Sequence, residues 1–444
     1  MTPREPRILT PTTSAVPAPP NDFTGVPAMS LDLVSVEDFS HNQFQYIEDP
    51  FSFYALMRER SPAHLSGTIY GGTWLMFRYA DCARLMRDER LSNARSAVPL
   101  RFLPAEQREE FADMLDIYAR WLAFHDGREH TRNRRQANKG YVPFTDEYLE
   151  PRIQGLVDQL LDQVDPTGFD LMSQFAFPLP AMVIADVLGV PVEAHAELNR
   201  WTDDIAHLFG STSVSVEHLR RTRESTRQLA AFLASEDNAR RSRAEGGLLH
   251  QLREAEVRGR RFSERDVVAQ AALLLFAGVA SIRYLIGNSV RALTAVPATE
   301  RELLLHPATA GPAVEELLRL CTPVSFVGRV AGEDFEYTAS DGTVVPLRKG
   351  QPLLLYVASA NRDPAVFDRP DELVLDRPLP NRHLTFGTGR HLCFGDPLVR
   401  QTTRIALSSL YRRWPELHVP PQENNWNNNL GFHGITSLQV TGDA

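Results

Sequence analysis

Two lysines, Lys139 and Lys349, and three cysteines, Cys82, Cys321 and Cys393, are all that the 444 residues contain. The 47 basic residues are therefore almost all arginine, a bias that fits a GC-rich coding sequence better than a functional demand. The wide cysteine spacing excludes CxxC zinc and redox motifs, and an odd count does not suggest a disulfide framework. A reducing cytoplasm fits such usage. There is no basic excess either: the net charge of -9 argues against nucleic-acid binding. Internal repeats and Gly/Ser linkers are also missing. Length alone would allow two or three domains, yet a single domain over residues 31–444 is expected. Residues 1–30 are rich in Pro and Thr and carry no apolar core, so they read as a mobile tail, neither signal peptide nor membrane anchor.

Long apolar runs are scarce, with one exception. It follows "FSERDVVAQAALLLFAGVASIRYLIGNSVRAL", where Ser263 can cap a helix and Asp266 closes a capping box. Pro297 ends it after about 30 residues, roughly 45 Å. A centre apolar all round predicts burial on every side. Gln270, Ser281 and Arg283 inside the run, and no second such segment, argue against a membrane span. Around it, "SFYALMRERSP" reads as an amphipathic helix and "GTWLMFRY" as a strand. Residues 100–250 are mostly helical, with loops at "DPTG" and "GSTSVS", and 323–358 holds β-branched runs separated by "SDG" and "RKG" turns. The fold class expected is mainly α with a smaller β region.

The cysteine that stands out is Cys393 in "FGTGRHLCFG". Gly387 and Gly389 permit tight turns, and with Gly395 they let a flat ligand approach the main chain. "DPLVRQTTRIALSSLYRRW" then reads as a helix with Pro397 in its first turn. Cys393 thus lies at a helix start, where oriented N–H groups favour a thiolate. A lone buried cysteine is usually a small hydrophobe; the spacing F-G-x-G-x-H-x-C-x-G, from Phe386 through His391 to Gly395, reverses that reading.

This loop closely resembles the heme-binding signature of the cytochrome P-450 family, and the resemblance extends over nearly the whole chain after the tail. It implies the family fold, with heme b between the long central helix and the cysteine-loop helix and Cys393 as the axial iron ligand. "VEELLRL" carries Glu316 and Arg319 in the family's E-x-x-R pattern, with Arg377 as the implied structural partner. "DGREHTRNRR" places His130 and Arg134 on one helix face; with Arg329 and His391 they match the family's contacts to the heme propionates, whereas Arg132 and Arg135 read as solvated. Phe386, Gly387 and Gly395 complete the cofactor set.

On the oxygen side the chain departs from the family, whose pattern is close to A-G-x-(Glu/Asp)-Thr. "FAGVAS" keeps Ala277 and Gly278, but the acid position is Ala280 and the alcohol position Ser281. The resemblance makes Gly278, Ala280 and Ser281 the catalytic segment. Without the acid, Ser281, ordered water or a polar group on the substrate must relay protons. Arg283, about 200° around the helix from Ser281, is expected to face away and pair elsewhere. Asp396, where relatives commonly have a small residue, is expected to favour the helix start.

Two stretches, residues 93–125 and 201–219, face the substrate by resemblance. Leu208, Phe209, Val279 and Phe326 are the expected wall positions. The implied function is a soluble, cytoplasmic heme-thiolate monooxygenase of secondary metabolism, acting on a small, partly apolar molecule. The implied electron donors are a ferredoxin and its reductase; no such domain is fused here, and a monomer outside membranes is expected. Two alternatives stand beside it. One is an atypical reaction (coupling, desaturation, peroxide-driven or redox-neutral); the other is a heme-binding protein without turnover.

Overall fold

The computed structural model describes residues 49–442 apart from 68, 102, 212–214 and 380. The expected tail, residues 1–30, lies outside them. The elements that position the site are seven strands and eight helices, numbered here in chain order.

The first helix, α1 (Pro50–Arg60), leads into strands β1 (Ala63–Ser66), β2 (Thr73–Met76) and β3 (Leu91–Ser92). Four more strands follow far along the chain: β4 (Val327–Ala331), β5 (Phe335–Thr338), β6 (Val344–Leu347) and β7 (Pro352–Leu355). Five of these form one sheet in the order β1-β2-β7-β4-β3, while β5 and β6 pair as a separate hairpin. The central strand β7 reads PLLL and is buried throughout, as a strand covered on both faces must be. Its register aligns Leu353 with Trp74 and Arg329, and Leu354 with Leu75 and Gly328. Paired residues share a face, so Gly328 and Arg329 point to opposite sides of the sheet.

The helices are α2 (Gly127–Tyr141), α3 (Pro178–Leu188), α4 (His195–Gly210), α5 (Val216–Ala234), α6 (Glu264–Leu293), α7 (Pro307–Leu320) and α8 (Asp396–Arg413). The capping box expected at Ser263 and Asp266 is present, and α6 runs for 30 residues. Its polar interruptions are structural. Gln270 accepts from the Leu122 N–H and donates to the Arg120 carbonyl. Asn288 likewise ties the His433 carbonyl and the Ile435 N–H. Arg283 pairs with Asp203 of α4, its guanidinium 4.6 Å from both the Phe177 and Tyr284 rings. By length and composition α6 could cross a membrane, but it is the buried core helix.

One expectation for α6 is overturned. Its centre is not covered on every side: Ala277 is exposed, and Leu273, Leu274, Gly278 and Ser281 are only partly buried. One face of this core helix is therefore left partly uncovered by the rest of the chain.

Beneath α6, the E-x-x-R pair closes as expected. Arg319 donates to both oxygens of Glu316 at 2.8 Å, and Arg377 adds a third contact at 2.8 Å. Arg319 also donates to the carbonyls of Asn361, Pro370 and Glu372. Glu316 and Arg319 are wholly buried, so this cluster pins the meander that leads to Cys393.

Candidate heme site

The cysteine loop is built by its own backbone. Gly387 and Gly389 adopt φ of 69° and 78°, a left-handed conformation that side chains disfavour. The turns close by Gly387 N–H to the Leu384 carbonyl at 2.8 Å and Cys393 N–H to the Phe386 carbonyl at 2.9 Å. Asn361, which the sequence did not single out, clamps the approach: its side chain accepts from the Leu384 N–H and donates to Thr385. The Arg400 guanidinium covers the Phe386 ring at 4.4 Å.

Of the three cysteines, Cys82 and Cys321 are buried and Cys393 alone keeps an open face. Gly395 borders that opening; a Cβ added there would meet no atom. Burial pushes the Cys393 thiol up, against the Gly395 N–H and the charges of Arg134 and Arg400, while Asp396 adds to the rise. The Gly395 N–H acts in the direction expected of a helix start, opposed by burial. Coordination by a metal itself deprotonates a thiol. Asp396 is the acid of the first turn of α8, as expected, and it pairs with Arg400 without a side-chain capping bond. Arg400 also holds Glu315 at 2.6 Å, and His383 approaches Glu315 at 3.1 Å.

The four residues expected around the propionates do come together near this loop. The His130 and His391 rings stand 4.0 Å apart. Arg134 donates to the Leu392 carbonyl at 2.7 Å and lies over the Phe394 ring. Arg329 is buried, donates only to its neighbour Gly328, and has no carboxylate partner among the described residues. Burial, then His130 and Arg329, lower His391 to about 3. Burial likewise brings Arg329 down to about 10, with Arg95 adding to the fall. Asp126 is the acid of this neighbourhood, 3.9 Å from His391 and held by Ser92 and Asn93. Neither Asp126 nor Arg95 was marked by a motif.

The uncovered face of α6 carries the segment expected on the oxygen side. The Ser281 hydroxyl donates to the Ala277 carbonyl at 2.7 Å, the back-bond typical of a helical serine. Ala280 and Val279 are fully buried, so the acid position points into the core. Gly278, expected on the catalytic segment, owes its missing side chain to packing: a Cβ would collide with Ile184 of α3. Of the four expected wall residues, Leu208 and Val279 are sealed in the core and are corrected. Phe209 and Phe326 keep a partly open side. Phe209 belongs to an aromatic group that sequence reading missed. Trp121 stacks on Phe276 at 5.1 Å, and Phe209 lies 5.5 Å from both Phe124 and Phe276. The alternation in "WLAF" gives no sign of this, since the partners come from α4 and α6.

The cytochrome P450 family model matches residues 312–441. The chain is 31% identical over 417 residues to the polyketide biosynthesis cytochrome P450 PksS of Bacillus subtilis, covering 91% of this chain and 97% of that one. It is also 31% identical over 395 residues to the mycinamicin IV hydroxylase/epoxidase of Micromonospora griseorubida, covering 87% and 94%. Among solved structures it resembles P450BioI in complex with an acyl carrier protein ligated to hexadec-9Z-enoic acid. There the TM-score is 0.80 at 29% identity, over 90% of this chain and 99% of that one. This chain belongs to the cytochrome P450 family. It is an oxidoreductase of that family, whose cofactor is heme b bound through a cysteine thiolate to iron.

The residues present fit that group. A partly exposed cysteine stands two residues before a glycine with free space at its Cβ position, buried Arg329 has no ion-pair partner among the described residues, and α6 keeps an uncovered stretch of small residues.

Proposed function

We propose that the protein is a heme-thiolate monooxygenase in which Cys393 ligates the iron. His130, Arg134, Arg329 and His391 take the heme carboxylates, while Phe386, Gly387 and Gly395 shape the proximal bed. Held by these residues, a heme would supply dioxygen activation, which a cysteine thiolate ligand favours. The single observation that carries this reading is that Cys393, a partly exposed cysteine, is held in a turn built on left-handed Gly387 and Gly389.

The chain's own residues supply the rest. Phe209, Phe276 and Phe124 offer an apolar wall for a small, partly apolar substrate and keep bulk water out. Ser281 can hold a proton donor at Oγ over the open face. With Ala280 in place of an acid, the relay runs from Ser281 through ordered water or a polar group on the substrate. Electrons come from a ferredoxin and its reductase in this reading. Leu392, next to Cys393, is exposed and offers an apolar contact point for such a donor. The secondary-metabolic names of the relatives support a biosynthetic substrate.

The absent acid also favours a second reading, a less proton-demanding oxidation such as coupling, desaturation or a peroxide-driven reaction. Purified holoprotein with a generic ferredoxin pair, NADPH and a compound that shifts its spin state separates these. Insertion of oxygen supports the first reading and coupled or desaturated product the second. Product with hydrogen peroxide alone marks the peroxide-driven form. Heme binding with no turnover under any condition overturns catalysis. For Cys393→Ala the red-shifted Soret band of the reduced carbonyl complex disappears; its persistence would place the iron on another residue.

A further inference from the structure

Among the described residues Arg95 has no ion-pair partner. It follows β3 in the segment "NARSAVPL", and its Nε is sealed from solvent without a hydrogen-bond partner. No carboxylate among the described residues pairs with it; its guanidinium rests 4.9 Å over the Phe124 ring. Burial lowers it to about 10, so it stays charged at neutral pH. The neighbouring Tyr70 does not supply a counter-charge. Its hydroxyl donates to the Ser211 carbonyl at 2.7 Å, and burial raises it to about 12. The fold nevertheless makes room for this side chain: a Cβ at Gly328 would come within 3.2 Å of three Arg95 side-chain atoms.

Arg95 lies near enough to Arg329 for its charge to lower that group, but it packs from the other face of the sheet. Gly328, on which it packs, faces the side of the sheet opposite to Arg329, sharing its face with Leu354 and Leu75. That side carries the cluster of Leu75, Leu354 and Tyr356, against which Tyr70 and Phe326 pack. Arg95 therefore lies between the aromatic wall at Phe124 and the point where the β1–β2 connection meets the end of α4 through Tyr70 and Ser211. Arg95 as a whole is partly exposed, but a guanidinium with a sealed, unpaired Nε and no anion is costly, and a carboxylate matches its planar fork with two charge-assisted hydrogen bonds.

We propose that Arg95 anchors the carboxylate of the substrate, an apolar molecule with one acidic end whose body lies along Phe124 and Phe209. This rests on the monooxygenase reading for the word substrate, but its test needs binding alone. A ligand of this kind is held by one end, so the position of oxidation is set by its length from the acid.

The holoprotein is titrated with dodecanoic acid and with methyl dodecanoate, following the heme spin-state spectrum and the quenching of tryptophan emission, since Trp121 stacks on Phe124. The wild type is expected to bind the acid roughly ten- to hundredfold more tightly than the ester. Arg95→Gln removes that preference, Arg95→Lys restores part of it, and heme content is unchanged in both. Equal binding of acid and ester by the wild type, or binding of neither, overturns the proposal. So does an Arg95→Gln protein that keeps the acid preference. If that variant instead loses heme faster to apomyoglobin than the wild type, Arg95 serves the cofactor's carboxylates and the proposal fails. Loss of the monooxygenase reading shows separately, as acid binding that persists in a protein without turnover.

Discussion

At the scale of single residues, the site depends on what is open and what is sealed. Ser281 is the one hydroxyl on the uncovered face of α6, and it already donates to Ala277. Ser281→Ala is expected to slow turnover or uncouple it, by up to roughly 10²-fold in product per NADPH consumed. Unchanged coupling would move the relay to the substrate. Gly278 makes the opposite kind of contribution. Gly278→Ala drives a methyl into Ile184 and is expected to cost about 1–3 kcal/mol in urea unfolding. Combining it with Ile184→Val should recover part of the loss, because the clash is with the far end of that side chain. If the single variant is as stable as the wild type, packing is not why glycine stands there.

Among the elements, the contact between α4 and α6 depends on an ion pair of unequal partners. Arg283 is almost wholly buried between two rings, whereas Asp203 is about half exposed, at 43%. The Nε and Nη1 of Arg283 have no partner, so Asp203 is its main compensation. Asp203→Ala is expected to destabilise by about 1–3 kcal/mol, less than a fully buried pair would lose, because water can reach the vacated side. Arg283→Met in the same background should restore stability by removing the stranded charge. Under α6, by contrast, Glu316 and Arg319 are buried without exposure on either side. Arg319→Ala leaves a carboxylate in the core and frees three carbonyls, so little folded protein is expected from that variant.

For the whole molecule, acid sensitivity follows from Glu315. Burial opposes its ionisation, yet His383 and Arg400 hold it down to about 2. A carboxyl depressed in the native state stabilises the fold above its unfolded pKa near 4.5 and loses that contribution as pH falls toward 2. Through Arg400 this joins α7 to α8 directly behind the cysteine loop. Glu315→Gln is expected to lower stability by on the order of 2 kcal/mol near neutral pH. Its unfolding midpoint should also vary less with pH over the acid range than that of the wild type. Equal pH slopes for the two proteins would assign the acid response to other carboxylates.

What could be read from the sequence was local. The loop around Cys393, the capping box at Ser263, the Glu316–Arg319 spacing and the two-strand signals of β4 and β7 are written in neighbouring residues. Such patterns act through backbone geometry within a few positions. Exposure is different, because it sums contacts from distant segments. Leu208 and Val279 carry the same apolar signal as Phe209 and Phe326, yet only the packing of α3, α4 and α6 decided which were sealed. Arg95 and Asp203 carry no motif at all. Whether each charge found a partner was settled by the fold alone, since a desolvated charge is defined by what surrounds it and not by what precedes it in the chain.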